Sequence, residues 1–143
     1  MKKTINSIIC VILSLVFILC LVSCTDKVDA SGLWEKATYL KDTTLGKGKT
    51  TVEVEVKVEE QSVTFTIKTD KETLGDALVE HNLLAGEEGP YGLYVKTVNG
   101  MTLDENTGNY YWAFYKDGEY LMQGVESTKI SDGEHYEIVY ERF

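Results

Sequence analysis

Val52, Val54, Val56 and Val58 alternate with Glu53, Glu55 and Lys57, so one side of this segment is apolar and the other charged. A period of two is that of a strand with one buried face. After Glu59-Glu60-Gln61-Ser62 the alternation resumes in Val63, Phe65 and Ile67, which predicts a hairpin. The period then changes. Leu74, Ala77, Leu78 and His81 fall three or four apart and form one helical stripe. Thr73 with Asp76, or Thr69 with Glu72, supplies a capping arrangement, and Asn82 falls near the stop. The helix is therefore short, about residues 73–82, with Leu74 and Leu78 turned to the core.

Strand and turn signals dominate the rest of the chain. Tyr91 to Val98 predicts a strand closed by the turn pair Asn99-Gly100, and Tyr110 to Lys116 one closed by Asp117-Gly118, with Glu119 to Met122 returning. Val125 to Ile130 leads into a third turn pair, Asp132-Gly133, and Tyr136 to Tyr140 ends the sheet. Upstream, Trp34 to Lys41 is expected to be a first strand, followed by a turn through Leu45-Gly46-Lys47-Gly48. A hairpin, one helix and then several strands predict an α+β domain. Its sheet is β-grasp-like and mostly antiparallel, with the helix packed on it.

The amino-terminal pattern is of another kind. Lys2 and Lys3 precede an apolar run from Ile8 to Val22, the length of a secretion signal and short for a membrane-spanning helix. It ends in Leu21-Val22-Ser23-Cys24, which resembles the lipobox of bacterial lipoproteins. That resemblance implies a signal over residues 1–23, a lipid-bearing Cys24 as the new terminus, a tether over 24–32 and a domain over 33–143. It implies a lipid-anchored protein on the outer face of the cytoplasmic membrane, with the bilayer as a partner. Cys10 and Cys20 leave with the signal and Cys24 carries the lipid, so no thiol remains for a disulfide, a metal or catalysis. The 143 residues carry 23 acidic against 14 basic side chains, net −9. Such a surface repels phosphate backbones, which argues against nucleic acid as a partner.

Signals for chemistry are few. His81 and His135 sit in no triad or zinc spacing, so they are expected to cover a helix end and to flank a hairpin. Asp104-Glu105-Asn106-Thr107-Gly108-Asn109 lacks the fifth-position acid of a calcium loop, and Tyr115 stands where the bidentate Glu belongs, so a polar loop is expected. Glu87-Glu88 reads as a solvated turn. No enzyme, no cofactor and no metal site is expected. Alternation sends Trp112, Phe114 and Lys116 to one sheet face and Tyr111, Ala113 and Tyr115 to the other. Aromatic side chains of this kind serve either as strand filler or as a ligand platform.

Four stretches, in order, carry a family pattern: Thr73 to Leu78, Tyr91 to Gly100, Tyr111 to Gly118 with Gly124-Val125, and Asp132 to Ile138. They resemble the transcobalamin-like carboxy-terminal domain, which is similar to the small β-domain that ends transcobalamin and intrinsic factor. In those carriers the small domain closes over a corrin from one side while a helical barrel holds the other. The resemblance implies two ligand-facing segments lying side by side as one surface. The first is Thr97, Val98, Asn99, Gly100, Met101 and Thr102. The second is Trp112, Ala113, Phe114, Tyr115, Lys116, Asp117, Gly118, Glu119, Tyr120 and Leu121. Residues 25–50 cannot make a helical barrel, and half a clamp binds weakly because burial is not shared between two domains. The function implied is a binding module for cobalamin or another corrinoid, associated with a membrane transporter. The alternative is a protein-interaction or envelope-adhesion module with no small ligand.

Overall fold

The computed structural model describes residues 32–104 and 109–143. The signal, Cys24 and most of the tether lie outside the described residues, as does most of the loop read for calcium.

The valine alternation forms β2 (Thr50–Val58) and the next one β3 (Gln61–Thr69), an antiparallel hairpin in which Val54 faces Phe65 and Val56 faces Val63. Glu59 makes the tight turn at φ 55°. The apolar side chains of both strands are buried. On the flank of β3 lies β1 (Thr43–Gly46), in parallel register. On the other flank of β2, also parallel, lies β9 (His135–Arg142), so the last strand of the chain meets β2 at the centre of the sheet. Antiparallel β7 (Tyr110–Lys116) and the short β8 (Glu119–Tyr120) complete the order β1-β3-β2-β9-β7-β8. The central parallel pair beside an antiparallel hairpin is the β-grasp arrangement, and the fold is α+β.

The helix, α1 (Leu74–Glu80), packs on the apolar face of this sheet with Leu74, Ala77 and Leu78 fully buried. The Thr73 hydroxyl accepts the Asp76 N–H at its start. His81 is the C-cap, and Asn82 follows at φ 56°, the left-handed conformation that ends helices. The same face is covered further by a smaller antiparallel sheet of β4 (Leu84–Gly89), β5 (Gly92–Val98) and β6 (Met101–Thr102). Leu84, Val95, Val98 and Met101 join the core from it.

Three expectations are corrected. Trp34 to Lys41 is not a strand: Gly32–Lys36 is a 3-10 turn whose Trp34 is buried, its indole N–H donating to the Val58 carbonyl at 3.3 Å. The edge strand comes later, at β1, where the sequence suggests a turn. Glu87 and Glu88 sit in β4, paired across from Tyr94 and Leu93, because a Gly86 bulge lets β4 follow β5 closely. A Cβ on Gly86 would stand 1.9 Å from the Tyr94 carbonyl oxygen. The Val125 to Ile130 stretch opens with a 3-10 turn, Val125–Ser127, and contributes no strand of the sheet.

Candidate functional site

Alternation along β7 sends Trp112 and Phe114 to the face that carries the core, and Tyr111 and Tyr115 to the other face, where both hydroxyls donate to Glu141. Trp112 fastens β7 to the smaller sheet, its indole N–H donating to the Lys96 carbonyl at 3.3 Å. After β8 the Leu121 N–H returns to the Phe114 carbonyl at 2.8 Å, and the chain runs over the end of β5. There the Glu126 carboxylate accepts the Leu93 N–H at 2.8 Å. The helix sets this stretch in place. Gly75 abuts the backbone of Val125 and Glu126, and the Leu74 N–H donates to the Thr128 carbonyl at 2.8 Å.

Between these elements lies a groove of about 460 Å³. Its walls are Leu93, Tyr94 and Val95 of β5, Tyr111, Trp112 and Phe114 of β7, and the run Tyr120, Leu121, Met122, Gln123, Gly124 and Val125. Among the described residues no charged side chain lines it, in a chain of net charge −9. Its size falls within the ~300–1,000 Å³ of small-molecule sites, and its chemistry is aromatic and aliphatic with a few polar groups. Large apolar side chains surround the groove in the open: Tyr91 is 96% and Met122 92% exposed, and Tyr94 and Tyr120 are about half exposed.

The two segments that the resemblance nominates approach each other where the Trp112 indole reaches the Lys96 carbonyl, next to Thr97, but of the two only the second contributes residues to the groove. In the first, Val98, Asn99 and Met101 are fully buried. Asn99 Oδ1 accepts the Tyr39 N–H at 3.0 Å, and Nδ2 donates to the Tyr39 carbonyl at 2.9 Å. Its own carbonyl accepts the Thr38 N–H, and a Cβ on Gly100 would stand 2.7 Å from the Lys36 carbonyl oxygen. Thr97 and Thr102 pair their hydroxyls at 2.9 Å on the surface. This turn is a lock on the amino-terminal segment, held on the side of the core where the Tyr39 ring meets Phe65 of β3 at 5.6 Å. The Asp117-Gly118 turn closes β7 and β8, beyond β2 and β9. Neither cavity lined by the second segment includes a residue of the first.

The second segment itself divides. Trp112, Phe114, Tyr120 and Leu121 line the groove. Lys116, Asp117 and Glu119 line a separate hollow of about 400 Å³ that shares only Tyr120 and Leu121 with it. Lys116 is paired with Glu134, and Ala113 is fully buried. The Tyr115 hydroxyl is pushed up to about 12 by its 2.6 Å hydrogen bond to Glu141, and by burial. Leu93, Tyr94, Val95 and the Met122 to Val125 run were not among the expected residues. Apart from the exposed aromatic at Tyr94, no local pattern marks them.

Both histidines have structural positions, His81 as the helix C-cap and His135 at the start of β9. Among the described residues, no group of three or more His, Cys, Asp or Glu side chains is placed to hold a metal ion.

A family model described as "Domain of unknown function (DUF4430)" matches residues 71–142. No curated protein matches the chain. Among solved structures, a candidate metal-binding protein from Ruminococcus gnavus ATCC 29149 is similar at 30% identity and a TM-score of 0.63. The match covers 66% of this chain and 99% of that one. Haptocorrin, solved in complex with Cbi, is similar in fold at 20% identity and a TM-score of 0.50. That match covers 69% of this chain but only 27% of haptocorrin, so the chain corresponds to about a quarter of that protein.

Proposed function

The chain belongs to the family described as Domain of unknown function (DUF4430), and from that premise we propose that it is a binding module held outside the cytoplasm by a lipid on Cys24. Its ligand is a large amphipathic molecule of the corrinoid class, taken up at the groove between β5 and β7 and passed to a membrane transporter. The observation that carries this reading is the uncharged aromatic groove in an otherwise acidic protein. Flat, partly apolar ligands gain contact area from rigid aromatic walls at little entropic cost. The fold shared with haptocorrin supports the ligand class, and the resemblance to transcobalamin-like domains supports it from sequence. In this reading the protein catalyses no reaction and carries no resident cofactor.

Titration of the full chain with cobinamide and with cobalamin tests it. Saturable quenching of Trp112 fluorescence is expected, weakened by Tyr94→Ala and by Leu121→Ala. Absence of saturation with every corrinoid, on a folded protein, would sink the ligand assignment. The anchor is tested separately: Cys24→Ala should leave a precursor that takes up no labelled fatty acid.

A second reading, an interaction or adhesion module with no small ligand, is favoured by the exposed Tyr91 and Met122 beside the groove. Contiguous exposed apolar surface is a mark of protein docking sites. Capture of a defined envelope protein that Tyr91→Ser and Met122→Ser abolish, without corrinoid binding, would favour it.

A further inference from the structure

The Asp117-Gly118 turn has positive φ at both residues, 50° and 82°, so it is the two-residue turn that makes Lys116 and Glu119 a hydrogen-bonded pair. From there, every second residue of β7 turns its main-chain groups toward the β8 side. At Phe114 they still find a partner, because its carbonyl accepts the Leu121 N–H at 2.8 Å. Trp112 turns its N–H and C=O the same way, but β8 ends at Tyr120 and the chain leaves the side of β7 beyond Leu121. Among the described residues, nothing pairs with the Trp112 main chain on that side. The gap that opens where the strand departs is the aromatic groove.

The opposite wall differs. Leu93 of β5 also turns its N–H away from β4, but the Glu126 carboxylate already accepts it at 2.8 Å. On β7 the open side continues to Tyr110, which has the orientation of Trp112 and lines a neighbouring hollow of about 290 Å³. Tyr94 lines both spaces and joins them, and the hollow, unlike the groove, has charged walls, the Glu87–Lys96 ion pair among them.

An unpaired N–H and C=O on a residue only 5% exposed are costly unless a group from outside meets them. Trp112 and Tyr110 stand two residues apart, about 6.8 Å at the pitch of a strand. Donor and acceptor pairs repeating at that spacing match an extended polypeptide backbone. The uncharged aromatic walls match apolar side chains on its alternate residues. Resting on the interaction reading of this groove, we infer that it is a strand-acceptor site. An extended, uncharged segment of a partner protein pairs with the open edge of β7 and takes the place that β8 vacates. A small ligand in the same groove excludes that segment.

The test titrates isotope-labelled full chain in detergent with a capped hexapeptide alternating threonine with valine, while the Trp112 main-chain N–H is followed by NMR. Saturable binding is expected, with that N–H shifted and its hydrogen exchange slowed. Two further peptides are N-methylated, one at every valine and the other at every threonine. Only one of these sets faces β7 in an added strand. One pattern should therefore weaken binding by roughly tenfold or more and the other should not. Binding that both patterns weaken alike, or that neither weakens, overturns strand addition while leaving the groove a docking surface. Absence of saturable binding, or binding that leaves the Trp112 N–H unmoved, overturns it as well. The interaction reading then stands or falls separately, on whether Tyr91→Ser and Met122→Ser abolish capture of an envelope protein.

Discussion

Both ends of the Asn99 side-chain amide are bound to Tyr39, and the residue is fully buried at φ 50°. Asparagine tolerates that left-handed backbone, and only its amide can accept from and donate to one residue's main chain at once. Asn99→Ala leaves a buried N–H and carbonyl without partners and strains the turn, so it should cost about 2–4 kcal/mol in chemical denaturation. A loss below about half a kcal/mol, ordinary for a surface turn, would contradict this lock. Trp112 also has two roles, since it is buried and its indole N–H holds the Lys96 carbonyl. Trp112→Phe keeps most of the apolar area and removes the bond, so a loss of about 1 kcal/mol is expected, against about 3–5 for Trp112→Ala.

At the scale of elements, α1 both covers the core and sets the wall of the groove. Leu78 is fully buried against the sheet, and Leu78→Ala should cost about 2–5 kcal/mol. Gly75 acts on the other side of the helix. An added Cβ there would stand 3.0 Å from the Glu126 nitrogen and 3.1 Å from the Val125 carbonyl carbon. Those atoms belong to a 3-10 turn tied down by the Leu74 to Thr128 hydrogen bond, so they have little room to retreat. Gly75→Val should therefore destabilise the fold by about 1–3 kcal/mol and displace the Gly124-Val125 wall. Ligand affinity falling more than stability predicts would identify the displaced wall; unchanged affinity on a stable variant would show that α1 does not set the groove.

Across the whole molecule, Glu134 joins the turn before β9 to β7 and to the core. It receives Lys116 Nζ, the Tyr136 hydroxyl at 2.6 Å and the Ser131 N–H at 2.8 Å. Burial by itself would raise its carboxyl, but these three donors outweigh it, and the net displacement is below the usual carboxylate range. A group depressed in the folded state contributes stability above its unfolded pKa and loses it as pH falls through the folded value. Stability should therefore drop on acidification below the ordinary glutamate range, and Glu134→Gln should flatten that arm of the profile. The Tyr136 hydroxyl is raised, by burial first and then by its bond to Glu134, and Tyr115 is pushed up to about 12. Raised groups lose their contribution as pH rises, so an alkaline decline from the ordinary tyrosine range upward is expected, measured by urea unfolding across pH. An acid arm unchanged by Glu134→Gln would place the sensitivity elsewhere.

Periodicity alone determined the β2–β3 hairpin, the helix with its Thr73 cap, the two faces of β7 and the turn pairs Asn99-Gly100 and Asp117-Gly118. Each is written in neighbouring residues, because a buried stripe must repeat with the period of its own backbone. β1 and β4 left no such mark. Both lie at sheet edges, and β4 is exposed along almost its whole length, so no apolar alternation is required of it. The parallel meeting of β2 with β9 joins positions some eighty residues apart, and no local pattern encodes it. Of the groove, Trp112, Phe114, Tyr120 and Leu121 were legible through the family resemblance. Leu93 to Val95 and Met122 to Val125 became its walls only when α1 and Glu126 drew three separate segments together. The burial of Asn99 likewise depends on the amino-terminal segment folding under the turn. A turn signal specifies backbone conformation, whereas exposure is decided by what the rest of the chain brings against it.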